Sequence, residues 1–462
     1  MGVSVTVALA LGFGLRLWFI VHTARIAGDS LIYGDIAKTW MQTGVYGFGQ
    51  AGGGAVPTLI RLPGYPMFLV ACFRLFGVEH YTAVMYGQGV ADLVTCVLVG
   101  ALAGRLFGRR AGLAALWLAA LCPFTASYVA YPLAETLTLT CVALAFYGLE
   151  RWRAAGLGFN RWLWVVTAAL AYAVLLRPEQ GLLAAAVVPA MLWTVVRSPT
   201  RREALGRAVA PVFVAAVCVV LPLAPWTVRN WRTFHVVQPL APRYATDPGE
   251  LVPLGFQHWF KTWGIEFAST EDVYWNYDGA TVDLNDLPTR AFDTDDQYAR
   301  TAVLIEEYNR TAKANAALDA RFEELAQERV KNDPLRYYLA LPVARVVDMV
   351  FRPRVEMFEI ELEWWRWRDH PKQTIFAGAY AALNLGYFVL AGVGLWRWRR
   401  HGWDGNKGLA FSMIGFIVLR TLLLLTLDNS EPRYTLEFFP VLMVWAGAVW
   451  VEKRVFPLRC SR

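Results

Sequence analysis

The sequence predicts an all-α polytopic membrane protein, with about ten transmembrane helices and a mixed extracytoplasmic loop domain. Three observations predict this class. First, 56% of the 462 residues are hydrophobic and only 18% charged, with mean hydropathy +0.36. Soluble domains carry about 25% charge, so a soluble globular fold, a disordered chain and a disulfide-rich secreted module are excluded. Second, the apolar residues fall in blocks of about 16–24, each able to cross a hydrocarbon layer about 30 Å thick. Third, the basic residues gather in alternate connections between those blocks.

In chain order the blocks are 3–23, 81–104, 112–128, 134–149, 162–176, 181–196, 208–227, 374–396, 408–427 and 438–451. The first lacks a basic leader and carries Arg16 within its apolar run, which favours an uncleaved helix over a secretory signal. With the N-terminus inside, the connections 105–110, 150–161, 197–207 and 397–407 and the tail from Glu452 hold 18 Lys and Arg. The short connections on the other side hold only Arg177 and Arg433, an asymmetry that fixes the orientation. The net charge of +7 is thus a topology signal, and no nucleic-acid partner is needed to explain it.

The expected organisation has three parts: a transmembrane core over residues 1–227 with a first outer loop at 24–80, an extracytoplasmic domain at 228–373, and C-terminal transmembrane helices over 374–462. In the first outer loop, Ser30 to Thr43 reads as a short helix, 47–55 as a Gly-rich flexible stretch, and 65–76 as an apolar interfacial segment. The second loop holds 18 basic and 24 acidic residues and is net acidic. There, Leu304, Tyr308, Asn315, Leu318, Phe322 and Leu325 follow the 3.6-residue period of one amphipathic helix ending before Pro334. Trp364, Trp365 and Trp367 suit a headgroup-level aromatic belt. No internal repeat is visible, which disfavours a transporter built from inverted halves.

The candidate chemistry lies at the outer ends of the blocks. Asp29 stands just past the first block, with Tyr33 one helical turn on and Asp35 pointing elsewhere. A carboxylate here suits deprotonation of an acceptor; the competing reading is a helix cap. Arg61, in Arg61-Leu62-Pro63-Gly64-Tyr65-Pro66, is one of three interfacial arginines. The others are Arg229, in Pro225-Trp226-x-x-Arg229-Asn230, and Arg433, in Glu431-Pro432-Arg433-Tyr434. Guanidinium groups offer paired donors to a phosphate, although an arginine also snorkels to lipid headgroups. Glu135 and Arg177-Pro178-Glu179 either line a cavity or tie helix ends together. Asp92 and Arg420, deep within blocks, read first as structural ion pairing between spans and second as a lipid-path contact. Asp293-x-Asp295-Asp296 reads as a solvated acidic turn, and Asn309-Arg310-Thr311 as a chance glycosylation triplet. The six cysteines and six histidines show no ligand spacing.

Taken in order, Asp29-x-x-x-Tyr33, Arg61-x-Pro63-Gly64-Tyr65-Pro66, Ala134-Glu135-Thr136, Arg177-Pro178-Glu179, Pro225-Trp226-x-x-Arg229-Asn230 and Arg433-Tyr434 resemble the GT-C superfamily of polyprenyl-phosphate-dependent glycosyltransferases. The nearest branch is that of the bacterial protein O-mannosyltransferases and the lipid A aminoarabinose transferases. The resemblance implies a GT-C fold, Asp29 as the catalytic carboxylate, and Arg61 as a donor-phosphate contact. It further implies Arg229 and Arg433, with Tyr33 and Tyr434, as donor-side residues. Asp35, Glu135, Arg177, Glu179 and Asn230 are cavity candidates. The implied partners are a polyprenyl-phosphate sugar, an extracytoplasmic acceptor and membrane lipids, in a bacterial inner membrane. Where the family carries two adjacent acids this chain has Asp29-Ser30, which leaves a divalent metal open as cofactor and makes Asp35 the substitute acid to examine. The alternatives to this reading are a flippase of lipid-linked sugars and a lipid-linked oligosaccharide polymerase or ligase.

Overall fold

The computed structural model describes residues 2–196 and 201–451. The basic connection at 197–207 lies only partly, and the tail from Glu452 not at all, among the described residues. The chain divides into two compact units: one of residues 1–247, 385–419 and 436–462, the other of 248–384 and 420–435.

The first unit begins with α1 (Gly2–His22), α2 (Asp29–Thr43), a hairpin of β1 (Gly47–Gly49) and β2 (Ala55–Pro57), and α3 (Gly64–Phe76). The stretch read as flexible is therefore a two-stranded antiparallel sheet, with Phe48 opposite Val56. Its strands are too short to leave an alternating pattern in the sequence. Next come α4 (Tyr81–Phe107), α5 (Arg109–Ala120), α6 (Pro123–Ala126) with a 3-10 turn over Ser127–Ala130, α7 (Glu135–Ala154), α8 (Arg161–Leu176), α9 (Gly181–Val196), α10 (Arg201–Val220) and α11 (Leu223–Phe234). Close crossings are made by glycines. A Cβ on Gly112 would stand 2.7 Å from Gly104 Cα and 2.8 Å from Gly100 O, so α4 and α5 meet backbone to backbone, as small-residue pairs permit in membranes.

Arg16 on α1 is 1% exposed. Its Nε and Nη2 donate to Asp92 Oδ2 at 2.9 and 2.5 Å, and its Nη1 donates to Gly12 O and Ala120 O at 2.8 and 2.7 Å. Asp92 thus forms the ion pair between helices that its depth suggested. Arg420, in the second unit, donates to Tyr434 O.

The second unit holds α12 (Leu254–Lys261), α13 (Phe267–Ser269), α14 (Asp295–Asn309), α15 (Ala316–Asn332) and α16 (Leu341–Phe351). α17 (Pro371–Arg400) and α18 (Lys407–Leu424) each run from one unit into the other, and α19 (Phe439–Gly447) completes the first. The mixed loop domain expected at 228–373 contains no strand among its described residues; its order comes from helices around Phe256, Trp259, Phe260, Trp263, Tyr308 and Phe322. The single amphipathic helix expected there is two. Asn315 caps α15, its Oδ1 accepting from Ala317 N and Leu318 N, and Ala312 at φ +49 turns the chain between the helices. Asp293 is held by both Nη groups of Arg336, at 2.8 and 2.9 Å, and Thr294 caps α14, so the acidic triplet forms a helix start.

Five described helices are long and apolar enough to cross a membrane, or six if the bent pair Arg109–Ala120 and Pro123–Ala130 counts as one span. Helical structure also occupies the other expected blocks, but α8 and α9 have only 16 residues each, and α7 is too polar to pass on composition. α7 packs against α4, α8, α9 and α19, so its surface meets protein and need not be apolar.

Candidate active site

α2 begins where Gly28, at φ +51, turns the chain into the helix, a conformation that suits glycine. Gly28 holds the cap position, so Asp29 stands in the first helical turn, where the helix dipole favours a carboxylate. Asp29 Oδ1 accepts from Arg61 Nη2 at 2.6 Å, with the two side chains 23% and 20% exposed, so the pair remains open to a ligand. Tyr33, one turn on, is buried beneath them, its ring centroid 5.8 Å from Arg61 Cζ. Burial, first, pushes the Tyr33 hydroxyl up to about 12; Arg61 and Arg177 oppose that rise while Asp29 and Glu135 add to it. The hydroxyl is therefore protonated near neutrality and is not a base.

Arg61 precedes α3, and the start of α3 lies against the end of α8. Tyr172 Oη donates to Gly64 O at 3.1 Å, and a Cβ on Gly64 would stand 2.5 Å from the Leu175 carbonyl. Arg177 closes α8. Its Nη1 donates to Glu135 Oε1 at 2.7 Å and its Nε to Glu179 Oε1 at 2.6 Å. This triplet ties the start of α7 to the end of α8, and its Glu135 and Arg177 act electrostatically on Tyr33. The structure so brings together Asp29, Tyr33, Arg61, Glu135, Arg177 and Glu179.

The other candidates have local partners of their own. Asp35 Oδ2 accepts from Gly49 N at 3.1 Å and its Oδ1 lies 3.6 Å from Lys38 Nζ, which uses this carboxylate to hold the hairpin against α2. Arg229 Nη1 donates to Thr58 O at 2.7 Å and Nη2 to Tyr46 O at 2.5 Å, with the rings of Tyr46, Trp226 and Phe234 around it. Asn230 accepts from Arg229 and donates to Gln238 O at 2.8 Å. Together they clasp the two ends of the hairpin. Arg433 belongs to the second unit, where it pairs with Glu431 and lies 5.8 Å from the Tyr434 ring. Among the described residues no group of three or more His, Cys, Asp or Glu is placed to hold a metal ion.

Sequence reasoning passed over several polar groups beside this cluster. Gln88 and Tyr65 are fully buried and bonded to each other. Ser30 Oγ and both polar atoms of the Gln180 side chain are buried without a hydrogen-bond partner. The available signal was a polar side chain interrupting an apolar run, as at Gln88.

Residues 58–226 match the sequence family described as dolichyl-phosphate-mannose-protein mannosyltransferase. The chain resembles the GT-C glycosyltransferases. The matched stretch contains Arg61, Glu135, Arg177 and Glu179 and stops short of Arg229. No curated protein matches the chain. Among solved structures, it is similar to the oligosaccharyltransferase AglB of Archaeoglobus fulgidus in complex with an inhibitory peptide and a dolichol-phosphate, at 12% identity and TM-score 0.46 over 96% of this chain and 49% of that one. It therefore spans about half the length of that relative. It is also similar to ArnT of Cupriavidus metallidurans in the apo state, at 15% identity and TM-score 0.35 over 96% of this chain and 76% of that one. ArnT bound to undecaprenyl phosphate matches at 15% identity and TM-score 0.33, over 97% and 77% of the two chains.

Proposed function

We propose that this protein is an integral-membrane glycosyltransferase that moves a sugar from a polyprenyl phosphate to an acceptor outside the cytoplasm. In this reading the ten apolar blocks all span a bacterial inner membrane, and the cluster around Asp29 faces the outer side. The observation that carries it is the half-open Asp29–Arg61 pair at 2.6 Å. A donor phosphate entering this pair competes for the Arg61 guanidinium, whose planar donors match phosphate oxygens. Its arrival releases Asp29 Oδ1 to accept a proton. The acceptor oxygen or nitrogen then attacks the anomeric carbon from the side opposite the phosphate, and its proton passes to Asp29. The bond from that carbon to the phosphate oxygen breaks, and polyprenyl phosphate departs with the electron pair, inverting the configuration. Carboxylate-assisted inversion at an anomeric carbon has this form, and Arg61 stands where charge grows on the leaving phosphate. Tyr33 packs under the guanidinium and fixes its height. The Arg177 triplet holds α7 and α8 at the rim. The acceptor, whether glycan, lipid or protein, meets the donor at this rim.

The test uses the full chain in nanodiscs with radiolabelled mannosyl undecaprenyl phosphate and an envelope extract as acceptor. The wild type should release undecaprenyl phosphate, and Asp29→Asn should slow that release by about 10²–10⁴-fold, the usual weight of a general base. Full activity in Asp29→Asn would overturn the base assignment. A wild type that moves intact donor between leaflets without cleaving it would replace transfer by flipping.

A further inference from the structure

Gln88, on α4, is 0% exposed and uses both ends of its amide. Nε2 donates to Tyr131 O at 2.9 Å and Val129 O at 3.1 Å, and lies 3.5 Å from Tyr128 O. Oε1 accepts from Tyr65 Oη at 2.6 Å. The amide orientation is set chemically, because carbonyl oxygens cannot donate and must face the NH2 group.

Each end leads to a different half of the Asp29–Arg61 pair. On one side the turn at 128–131 is bonded to the segment that delivers Asp29. Tyr131 Oη donates to Ala27 O at 3.0 Å, and Arg25 N donates to Ala130 O at 3.2 Å. On the other side Tyr65, four residues beyond Arg61, is 0% exposed and stands edge-on to Tyr33 with ring centroids 5.0 Å apart. Tyr33 in turn lies beneath the Arg61 guanidinium.

We infer that Gln88 is a positioning residue that registers the Asp29-bearing loop against the Arg61-bearing turn, and so sets the separation of base and phosphate ligand without touching substrate. The inference rests on the transferase reading above. A buried amide suits the task because all its bonds are directional, and losing them leaves carbonyls unpaired. Neither Met nor Leu at this position could hold two loops in register.

The experiment measures turnover of mannosyl undecaprenyl phosphate by the full chain carrying Gln88→Met, Tyr65→Phe or Asp29→Asn, and by the double variant Gln88→Met/Asp29→Asn. Gln88→Met should lower kcat at least about 30-fold and Tyr65→Phe about 3–10-fold, with the donor KM within about twofold of wild type, since a displaced reacting group costs chemistry before binding. In the Asp29→Asn background Gln88→Met should change the residual rate by less than about twofold, because its effect passes through Asp29. A merely structural role would cut both backgrounds equally by lowering the folded fraction. Equal losses would overturn the inference, as would wild-type kcat in Gln88→Met or Tyr65→Phe while Asp29→Asn is inactive. If Gln88→Met does not fold, Tyr65→Phe, which removes one hydroxyl and keeps the ring, decides alone. Full activity of Asp29→Asn would instead overturn the parent reading.

Discussion

Gly64→Ala is the substitution with the clearest geometric consequence. An added Cβ would stand 2.5 Å from both the carbonyl carbon and oxygen of Leu175 and 2.7 Å from Leu176 N. Comfortable contact begins at about 3.5 Å, so about 1 Å of separation must be created. Both sides of the contact are backbone, which cannot rotate away as a side chain can. Overpacking of this kind costs about 1–3 kcal/mol. The displaced segments also carry the site: Arg61 lies three residues before Gly64, and Arg177 two residues after Leu175. A shift near 1 Å at reacting groups costs about 10²-fold in rate. Turnover of mannosyl undecaprenyl phosphate should therefore fall about a hundredfold, and thermal unfolding followed by tryptophan fluorescence should move down by several degrees. Gly386→Ala on α17 is the control, because its Cβ would meet nothing within 4 Å; it should leave turnover unchanged and not lower melting, since alanine suits a helix interior better than glycine. Unchanged turnover and melting in Gly64→Ala would refute the close approach of α3 to α8 as a determinant of the site.

Two further outcomes follow from ion pairs. Asp92→Asn keeps the shape of the side chain but leaves the Arg16 guanidinium charged at 1% exposure. It should lose about 3–5 kcal/mol in denaturant unfolding, and Arg16→Met/Asp92→Leu together should recover most of that; an unchanged midpoint for Asp92→Asn would show that the pair contributes nothing. In the second unit, hydrogen bonds from Arg336, first, and the charge of Arg329 hold the Asp293 carboxyl below its ordinary value. A carboxyl depressed in the folded state stabilises above its unfolded value of about 3.9 and loses that contribution as pH falls through the folded one. Amide protection across α14 and α15, corrected for intrinsic exchange, should fall as pH drops below about 4, and Asp293→Asn should remove that part of the acid dependence. The same acid dependence in Asp293→Asn would place its origin elsewhere.

What could be read from the sequence was what is local. Hydropathy located the helical blocks because each is a contiguous run, and Asp29 and Tyr33 share a face because one turn separates them. Long-range pairing left no such trace. Arg16 and Asp92 were each conspicuous as charges in apolar runs, but nothing in a linear pattern says that residues 76 positions apart will meet. Helical spacing set Asp35 apart from Asp29, but its partner, the Gly49 amide, exists only once the hairpin has formed. Arg229 was singled out by its place beside Pro225 and Trp226 at the end of a block, and its donors are taken by two carbonyls that come together only in the fold. Gln88 went unnoticed because a lone amide in a hydrophobic block is informative only when its acceptors are known.

The polarity of α7 bears on how the chain enters a bilayer at all. Its buried face carries Glu135, Thr136, Thr138 and Glu150, and charged groups raise the free energy of membrane insertion by amounts that several leucines are needed to offset. Released alone from the insertion machinery, such a segment has little drive to enter lipid. α4 supplies what it lacks: Thr95 Oγ1 donates to Thr140 Oγ1 at 2.9 Å, and Arg105 pairs with Glu150. In the proposed ten-span arrangement, α4 is synthesised first and offers α7 a polar template in the membrane. In that arrangement the order of synthesis is also the order in which polar surfaces are hidden from hydrocarbon.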